Sequence, residues 1–362
     1  MEQNALRDNS HTRLLTLNGV RIVFALLVYI SHCSTSNIAT PFDFGGECGV
    51  AFFFSLSGFV LSWGGGNYRR KFDVNRFSYA MFFWKHFFRL YPIHLLIFAI
   101  FALWNWHGGI CYDWMQFVTQ LLLIQSWIPS THTLYIYNSV SWFLCDIIFF
   151  YAVFPIVYRW VMNVRIRAFA CGFIVFVVAY CMVAMKVPDE IVNCTLYANP
   201  LLRLVDFIMG IMAYRVWKTH SGQLGNLFSR ANMLAVNVVL LLLVYCCYVN
   251  LGVGVRCSAP FWFISPIIIL SLVNSERSGD VQDRLFGSGL MQWFGGISFE
   301  IYMMHLLVMR FVRKIYPFDG SVQLDIGYFI LAFVITIGVA WWINKYFVKP
   351  ASNVLCRWLL HN

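Results

Sequence analysis

Ten apolar runs, near 16–34, 47–64, 79–104, 139–160, 168–186, 200–217, 231–250, 259–274, 292–311 and 324–346, leave this chain few folds to choose from. A hydrocarbon core about 30 Å thick needs about 20 apolar residues per helical crossing. Lipid offers no partner to a backbone N–H or C=O, so each run must close its own hydrogen bonds as a helix. The expected fold is all-α: a polytopic membrane helix bundle of about ten transmembrane helices. Only 12% of the residues are charged and 60% are hydrophobic, whereas soluble domains carry about 25% charged residues. No long polar stretch interrupts the runs. One membrane-embedded domain, 16–348, is therefore expected between an N-terminal segment 1–15 and a C-terminal tail 349–362.

A further run at 115–128 is short for a crossing and suits a re-entrant or interfacial segment. Loop charge bears on the count. Arg69, Arg70, Lys71 and Arg76 mark 65–78 as cytoplasmic, 105–114 has no Lys or Arg, and Arg159, Arg165 and Arg167 form the next basic loop. That alternation requires 115–128 not to cross. Ten spans with both termini cytoplasmic is the better count, with eleven the alternative. Arg215, Lys218 and Arg230 obey the rule, as do Lys349 and Arg357, whereas Arg310, Arg313 and Lys314 fall on the outer side and break it.

The net charge of +10 is thus a topology signal and not a nucleic-acid footprint. The 11 cysteines show neither CxxC nor His/Cys ligand spacing, so no metal is expected. Those inside apolar runs (Cys145, Cys171, Cys181, Cys246, Cys247) read as small apolar residues. Cys48, Cys111, Cys194 and Cys257 are placed to face outward, where a disulfide is open but not deducible. Arg7 and Arg13 before an apolar run imitate a signal peptide, but Arg21 inside that run and the many later spans argue against cleavage.

Ionisable residues inside the runs carry the functional signal, because each costs about 2.5–3.5 kcal/mol to insert. Arg21 and His32 share the first run, and eleven residues bring them to one helix face about 16 Å apart. A neutral His32 can act as a general base; Arg21 can bind an anion or snorkel to the cytoplasmic interface. Lys85 and Arg89 are four apart on one face at the start of the third run, where they form a phosphate site or plain anchors. Asp146 lies well inside the fourth run with Trp142 one turn before it. Arg203 and Asp206 are spaced to pair with each other. Glu300 and His305 place a second acid and a second imidazole in the ninth run. Ser57 and Gly58 read as helix packing.

In this order the motifs resemble the acyltransferase 3 family of integral membrane acyltransferases. Leu17-Asn18-Gly19-Val20-Arg21 with His32 is similar to its arginine, ten residues, histidine opening. Gly49–Phe59 resembles its Gly-Val-Asp-x-Phe-Phe-x-x-Ser-Gly-Phe signature, with Ala51 in place of the aspartate. Lys85–Pro92 resembles its Arg-x-Tyr-Pro element, Ser141–Tyr151 its Ser-Trp-x-Leu…Phe-Tyr segment, and Ser298–His305 its Ser-Tyr-x-x-Tyr-x-x-His segment. The family's glutamate after Trp aligns with Ile147, and Asp146 stands one position earlier. The resemblance implies an acyl-CoA co-substrate, usually acetyl-CoA, with no permanently bound cofactor. It also implies a hydroxyl acceptor on a cell-surface or exported glycan or glycolipid, and a bacterial cytoplasmic membrane.

The expected reaction is O-acyl transfer. Lys85 and Arg89, with Arg69 and Arg70, hold the donor's phosphates; Arg21 orients the donor; His32 deprotonates the acceptor or carries the acyl group. Asp146, Trp142 and His305 line the acceptor side, with Arg203, Asp206 and Glu300 supporting. The alternative is a transporter or flippase for an anionic glycan or lipid, its path lined by Arg21, Asp146, Arg203 and Asp206. A structural membrane subunit is the third reading, and it leaves the buried ionisable residues unexplained.

Overall fold

The computed structural model describes residues 14–33, 45–64, 77–109, 113–228, 233–315 and 322–361, and all regular structure among them is helical. The long helices are α1 (Leu15–Ser31), α2 (Gly45–Gly64) and α3 (Phe77–His107). Short α4 (Trp114–Leu121) and α5 (Thr131–Tyr135) precede α6 (Trp142–Asn163) and α7 (Ile166–Ala184). Then come α8 (Asp189–Val192), a π-turn at Asn193–Tyr197, α9 (Pro200–Phe228) and α10 (Met233–Asn250). The chain closes with α11 (Val253–Arg256), α12 (Phe261–Ser278), α13 (Val281–Phe286), α14 (Gly289–Ile315), α15 (Val322–Ile343), a second π-turn at Asn344–Val348 and α16 (Lys349–His361).

Each of the ten expected runs coincides with one of these helices. Among the described residues eight helices are long and apolar enough to cross a membrane, and the pair 189–197 and 200–225, bent by 53°, is either a broken span or a re-entrant loop. α1, at 17 residues, is the short member. The run at 115–128 forms no crossing helix. Asp113 caps α4 through Met115 N, the chain turns at Leu123 with φ of 55°, and Ser130 caps α5 through Thr133 N. Side-chain caps satisfy the orphan N–H groups at both starts, so the segment folds as separate short turns.

Side-chain contacts give the helix directions. Phe24 stacks on Phe52 and Gly45 abuts Leu27, so α1 and α2 are antiparallel. Phe82 meets Phe154 and His86 meets Tyr151, so α3 and α6 are antiparallel too. α14 runs alongside α1 in the same direction, with Gly295 against Asn18 and His305 against His32. α2 crosses α9 at backbone contact. A Cβ on Gly210 would sit 1.8 Å from the Ser55 carbonyl oxygen, and one on Gly58 would sit 2.2 Å from that of Phe207. Small residues at this crossing admit the approach that larger ones would block.

Candidate active site

A cavity of about 470 Å³ opens where α1 ends. That volume falls within the range of small-molecule sites. Its aromatic walls are Tyr135 from α5, Trp142 from α6, Tyr197 from the π-turn and Tyr302 from α14. Gly46 and Val50 of α2, Val28 of α1 and Val140 just before α6 complete the apolar surface, while Ser139, Asn193, His32 and Arg310 supply its polar groups. The phenol of Tyr135, in a short helix outside the spans, is held above its ordinary range by burial and stays a neutral donor. A π-turn adds one residue per turn, and such turns recur at functional sites; here it presents both Asn193 and Tyr197 to the cavity.

His32 lies at the cap of α1, whose last helical residue is Ser31, and not inside the span expected at 16–34. Its ring Nδ1 is 2.8 Å from the Val28 carbonyl oxygen, which also accepts from the Ser31 hydroxyl at 2.7 Å. These bonds satisfy a carbonyl that the helix end leaves open. A carbonyl only accepts, so Nδ1 must carry the proton and Nε2 keeps its lone pair. His305 repeats the arrangement, with Nδ1 2.6 Å from the Tyr302 carbonyl oxygen and a buried Nε2 without a hydrogen-bond partner. The two imidazoles meet edge to face with ring centroids 5.0 Å apart. His32 is exposed to the cavity, whereas His305 is buried behind it.

One layer deeper lies an ion pair. Arg203 Nη1 reaches Asp206 Oδ2 at 3.1 Å, and both side chains are fully buried. The guanidinium also donates to the carbonyls of Tyr197 at 2.5 Å and Cys257 at 3.0 Å. Its centre lies 4.6 Å from the Tyr197 ring and 6.0 Å from the Trp142 ring, so it backs two cavity walls. Asp146 was expected on the acceptor side, but it does not line the cavity. It is fully buried, with Ser126, Arg203 and Asp206 as its polar neighbours. A carboxylate in an apolar span is tolerated where a cation faces it, and Arg203 is that cation.

A second polar cluster sits toward the N-terminal end of the bundle. Half-buried Arg21 has Arg89, Glu300 and Tyr151 as electrostatic neighbours. Asn344 donates to Glu300 Oε1 at 2.6 Å, and the other carboxylate oxygen is buried without a hydrogen-bond partner. Lys85 and Arg89 are both exposed, and both bear electrostatically on His86, whose ring packs on Tyr151. The guanidiniums of Arg21 and Arg89 therefore both act on one buried carboxylate, Glu300, while Lys85 sits beside His86. Arg69 and Arg70 lie outside the described residues.

Arg21 and His32 belong to different clusters, and Arg21 is not among the residues lining the cavity. Phe53, Phe143 and Tyr302, the last a wall of the cavity, meet ring to ring, with centroid distances of 6.4, 6.4 and 5.2 Å. The shared helix face does not bring the two side chains into one cavity. Tyr135, Ser139, Asn193, Tyr197, Tyr302 and Arg310 were not read as site residues from the sequence. Arg310 carried a signal, since it broke the loop-charge rule; Tyr135 and Tyr197 sit in short irregular turns with no periodic pattern. No pair of described cysteines is bridged, and Cys48, Cys194 and Cys257 are buried thiols; Cys111 lies outside the described residues.

These features define a multi-pass helical membrane protein with an imidazole in a cavity with aromatic walls and a cationic cluster in the opposite half. The chain belongs to the acyltransferase 3 family, whose acyltransferase domain matches residues 14–345. It is similar to the acyltransferase MdmB of Streptomyces mycarofaciens, with 26% identity over 84% of this chain and 81% of that protein. No solved structure matches the chain.

Proposed function

We propose that this membrane acyltransferase moves an acyl group, acetyl by family weighting, from acyl-CoA at the cytoplasmic face to a hydroxyl of a cell-surface or exported glycan. The cell membrane would be a bacterial cytoplasmic membrane, with both termini inside and 16–348 acting as one domain. The observation that carries the reading is His32: its Nδ1–H is held by the Val28 carbonyl, which leaves Nε2 as a base on a cavity wall. In the step, Nε2 takes the acceptor hydroxyl proton as the oxygen attacks the thioester carbon. The C–O bond forms, the C–S bond breaks, and the departing CoA thiolate takes the proton back from the imidazolium.

Arg21, Arg89 and Lys85 supply the cations for the donor's phosphates. Arg69 and Arg70, in the preceding segment, are the further candidates for that role. About 16 Å along α1 separates Arg21 from His32. An extended acyl-CoA arm spans such a gap, passing the Phe53–Phe143–Tyr302 layer to bring its thioester to His32. Trp142 and His305 shape the acceptor side. Asp146, Arg203 and Asp206 fix the walls, and Glu300 holds Arg21 and Arg89 at the donor end.

The test is transfer of labelled acetyl from acetyl-CoA by purified protein, wild type against His32→Ala, with isolated surface glycan as acceptor. Folded His32→Ala should lose at least about 100-fold in rate. Equal transfer by the folded variant removes His32 from the chemistry. Movement of glycan across vesicles without CoA release decides instead for a carrier.

A further inference from the structure

Three tyrosines line the cavity, and they are not alike. The Tyr302 phenol donates to the Val140 carbonyl at 3.1 Å, so its proton is already used. Tyr135 and Tyr197 are half-buried on the wall, and among the described residues neither phenol has a hydrogen-bond partner. We infer that these two phenols are the oxyanion donors of the transfer, holding the charge that develops on the thioester carbonyl oxygen as His32 takes the acceptor's proton. This rests on the acyl-transfer reading above and adds two catalytic residues to it.

The step needs such donors. As the acceptor oxygen attacks, the electron pair of the C=O π bond moves onto the carbonyl oxygen. As that bond re-forms, the C–S bond breaks and the thiolate takes the proton from the His32 imidazolium. Between the two events a full negative charge sits on one oxygen. Donors already in place for it are usually the largest single contribution to a reaction of this kind. Both phenols keep their own protons throughout, because they only donate hydrogen bonds.

Local structure brings the two phenols to one wall. α5 rests on the π-turn through Thr131, whose hydroxyl donates to Cys194 Sγ at 3.6 Å. Tyr135 follows Thr131 by one helical turn, and Tyr197 follows Cys194 by three residues in the π-turn. The Tyr197 ring is held by the Trp142 ring, with centroids 4.8 Å apart, and by the Arg203 guanidinium at 4.6 Å. Arg203 bears on both phenols, so charge developing in front of the rings faces a cation behind them. The carboxylates near this wall are committed to cations. Glu47, beside the lining residue Gly46, also bears on Tyr197, but its Oε1 faces Arg256 Nε at 3.8 Å. Asp206 is bound to Arg203 at 3.1 Å, and Asp146 is buried beside the same guanidinium. None of the three lines the cavity. Arg310 does line it and is engaged on the Phe101 ring at 4.8 Å. Ser139 and Asn193 remain for the acceptor's other hydroxyls; an aliphatic hydroxyl and an amide are weaker donors than a phenol, whose ring spreads developing charge.

The test uses the purified full chain in detergent as wild type, Tyr135→Phe, Tyr197→Phe and His32→Ala, with labelled acetyl-CoA as donor and isolated surface glycan as acceptor. Each Tyr→Phe change removes one oxygen and keeps the ring, so the walls stay. The expected result is a loss of about 100-fold in kcat for each Phe variant, with the KM for acetyl-CoA and for the glycan unchanged, because the bond is made only in the transition state. Detergent melts of both variants should match wild type. Peptide mass spectrometry of quenched turnover should find neither tyrosine acetylated.

Unchanged kcat in either Phe variant overturns the inference. A raised KM at unchanged kcat also overturns it, since the phenols would then bind only the ground state. Acetyl found on either tyrosine does the same, because that residue would be an acyl carrier. A kcat loss matched by a lower melt marks packing and overturns it as well. All these outcomes leave transfer through His32 standing. No transfer by wild type defeats the acyl-transfer reading itself, and the inference with it.

Discussion

Two residues with the same local bonding have different consequences. His32 and His305 each give their Nδ1 proton to a backbone carbonyl, so each keeps a bare Nε2. Only His32 is exposed to the cavity. His32→Ala should therefore abolish turnover with its stability intact, whereas His305→Ala opens a void behind it and should lower activity and thermal stability together. Thermal unfolding in detergent, measured beside acetyl transfer, separates the two. Arg203 is the residue whose loss should cost most in folding. Its removal leaves Asp206 and Asp146 buried without their cation, and breaking a buried pair costs about 3–5 kcal/mol. Arg203→Ala should unfold well below wild type in a detergent melt; an unchanged melt would show that the pair adds nothing.

At the scale of elements, the α2–α9 crossing is fixed by the absence of side chains. Gly58 and Gly210 let each backbone touch the carbonyls of the other helix. Gly210→Val places branched carbon where the Ser55 carbonyl lies, and the helices must separate. That motion would shift Val50 and Gly46 at the cavity as well as the buried layer under it. A cost of about 1–3 kcal/mol or more follows from overpacking, visible as a lost monodisperse peak in size-exclusion chromatography. The short helices α4 and α5 show the opposite case. They are too short to cross and each starts afresh at its own side-chain N-cap, so α5 can bring Tyr135 to the cavity wall.

The whole molecule holds a cationic cluster apart from an imidazole cavity, one wall of which belongs to a layer of three rings. In the proposed reaction such a layer would keep water from the donor's thioester until an acceptor is seated. Phe53→Ala removes the half-buried member of that layer. Its expected effect is a raised rate of CoA release from acetyl-CoA without acceptor, read as free thiol, with less effect on transfer itself. A variant that shows no extra hydrolysis would mean the rings are packing and not a barrier.

What the sequence determined by itself was local. Apolar run length set the all-helical fold and the positions of its long helices, because backbone satisfaction in lipid depends only on the run itself. Spacing of three along a helix likewise set the Arg203–Asp206 pair. Tertiary structure decided the rest: that His32 ends its helix, that Arg21 meets Glu300 and Arg89, that Asp146 is buried behind the cavity, and that Arg310 reaches it. Those contacts join helices far apart in the chain, and direction around a helix says which residues share a face but not which neighbour that face will meet. Tyr135, Asn193 and Tyr197 lay furthest from view, since they enter the cavity from turns whose shape depends on the helices already packed around them.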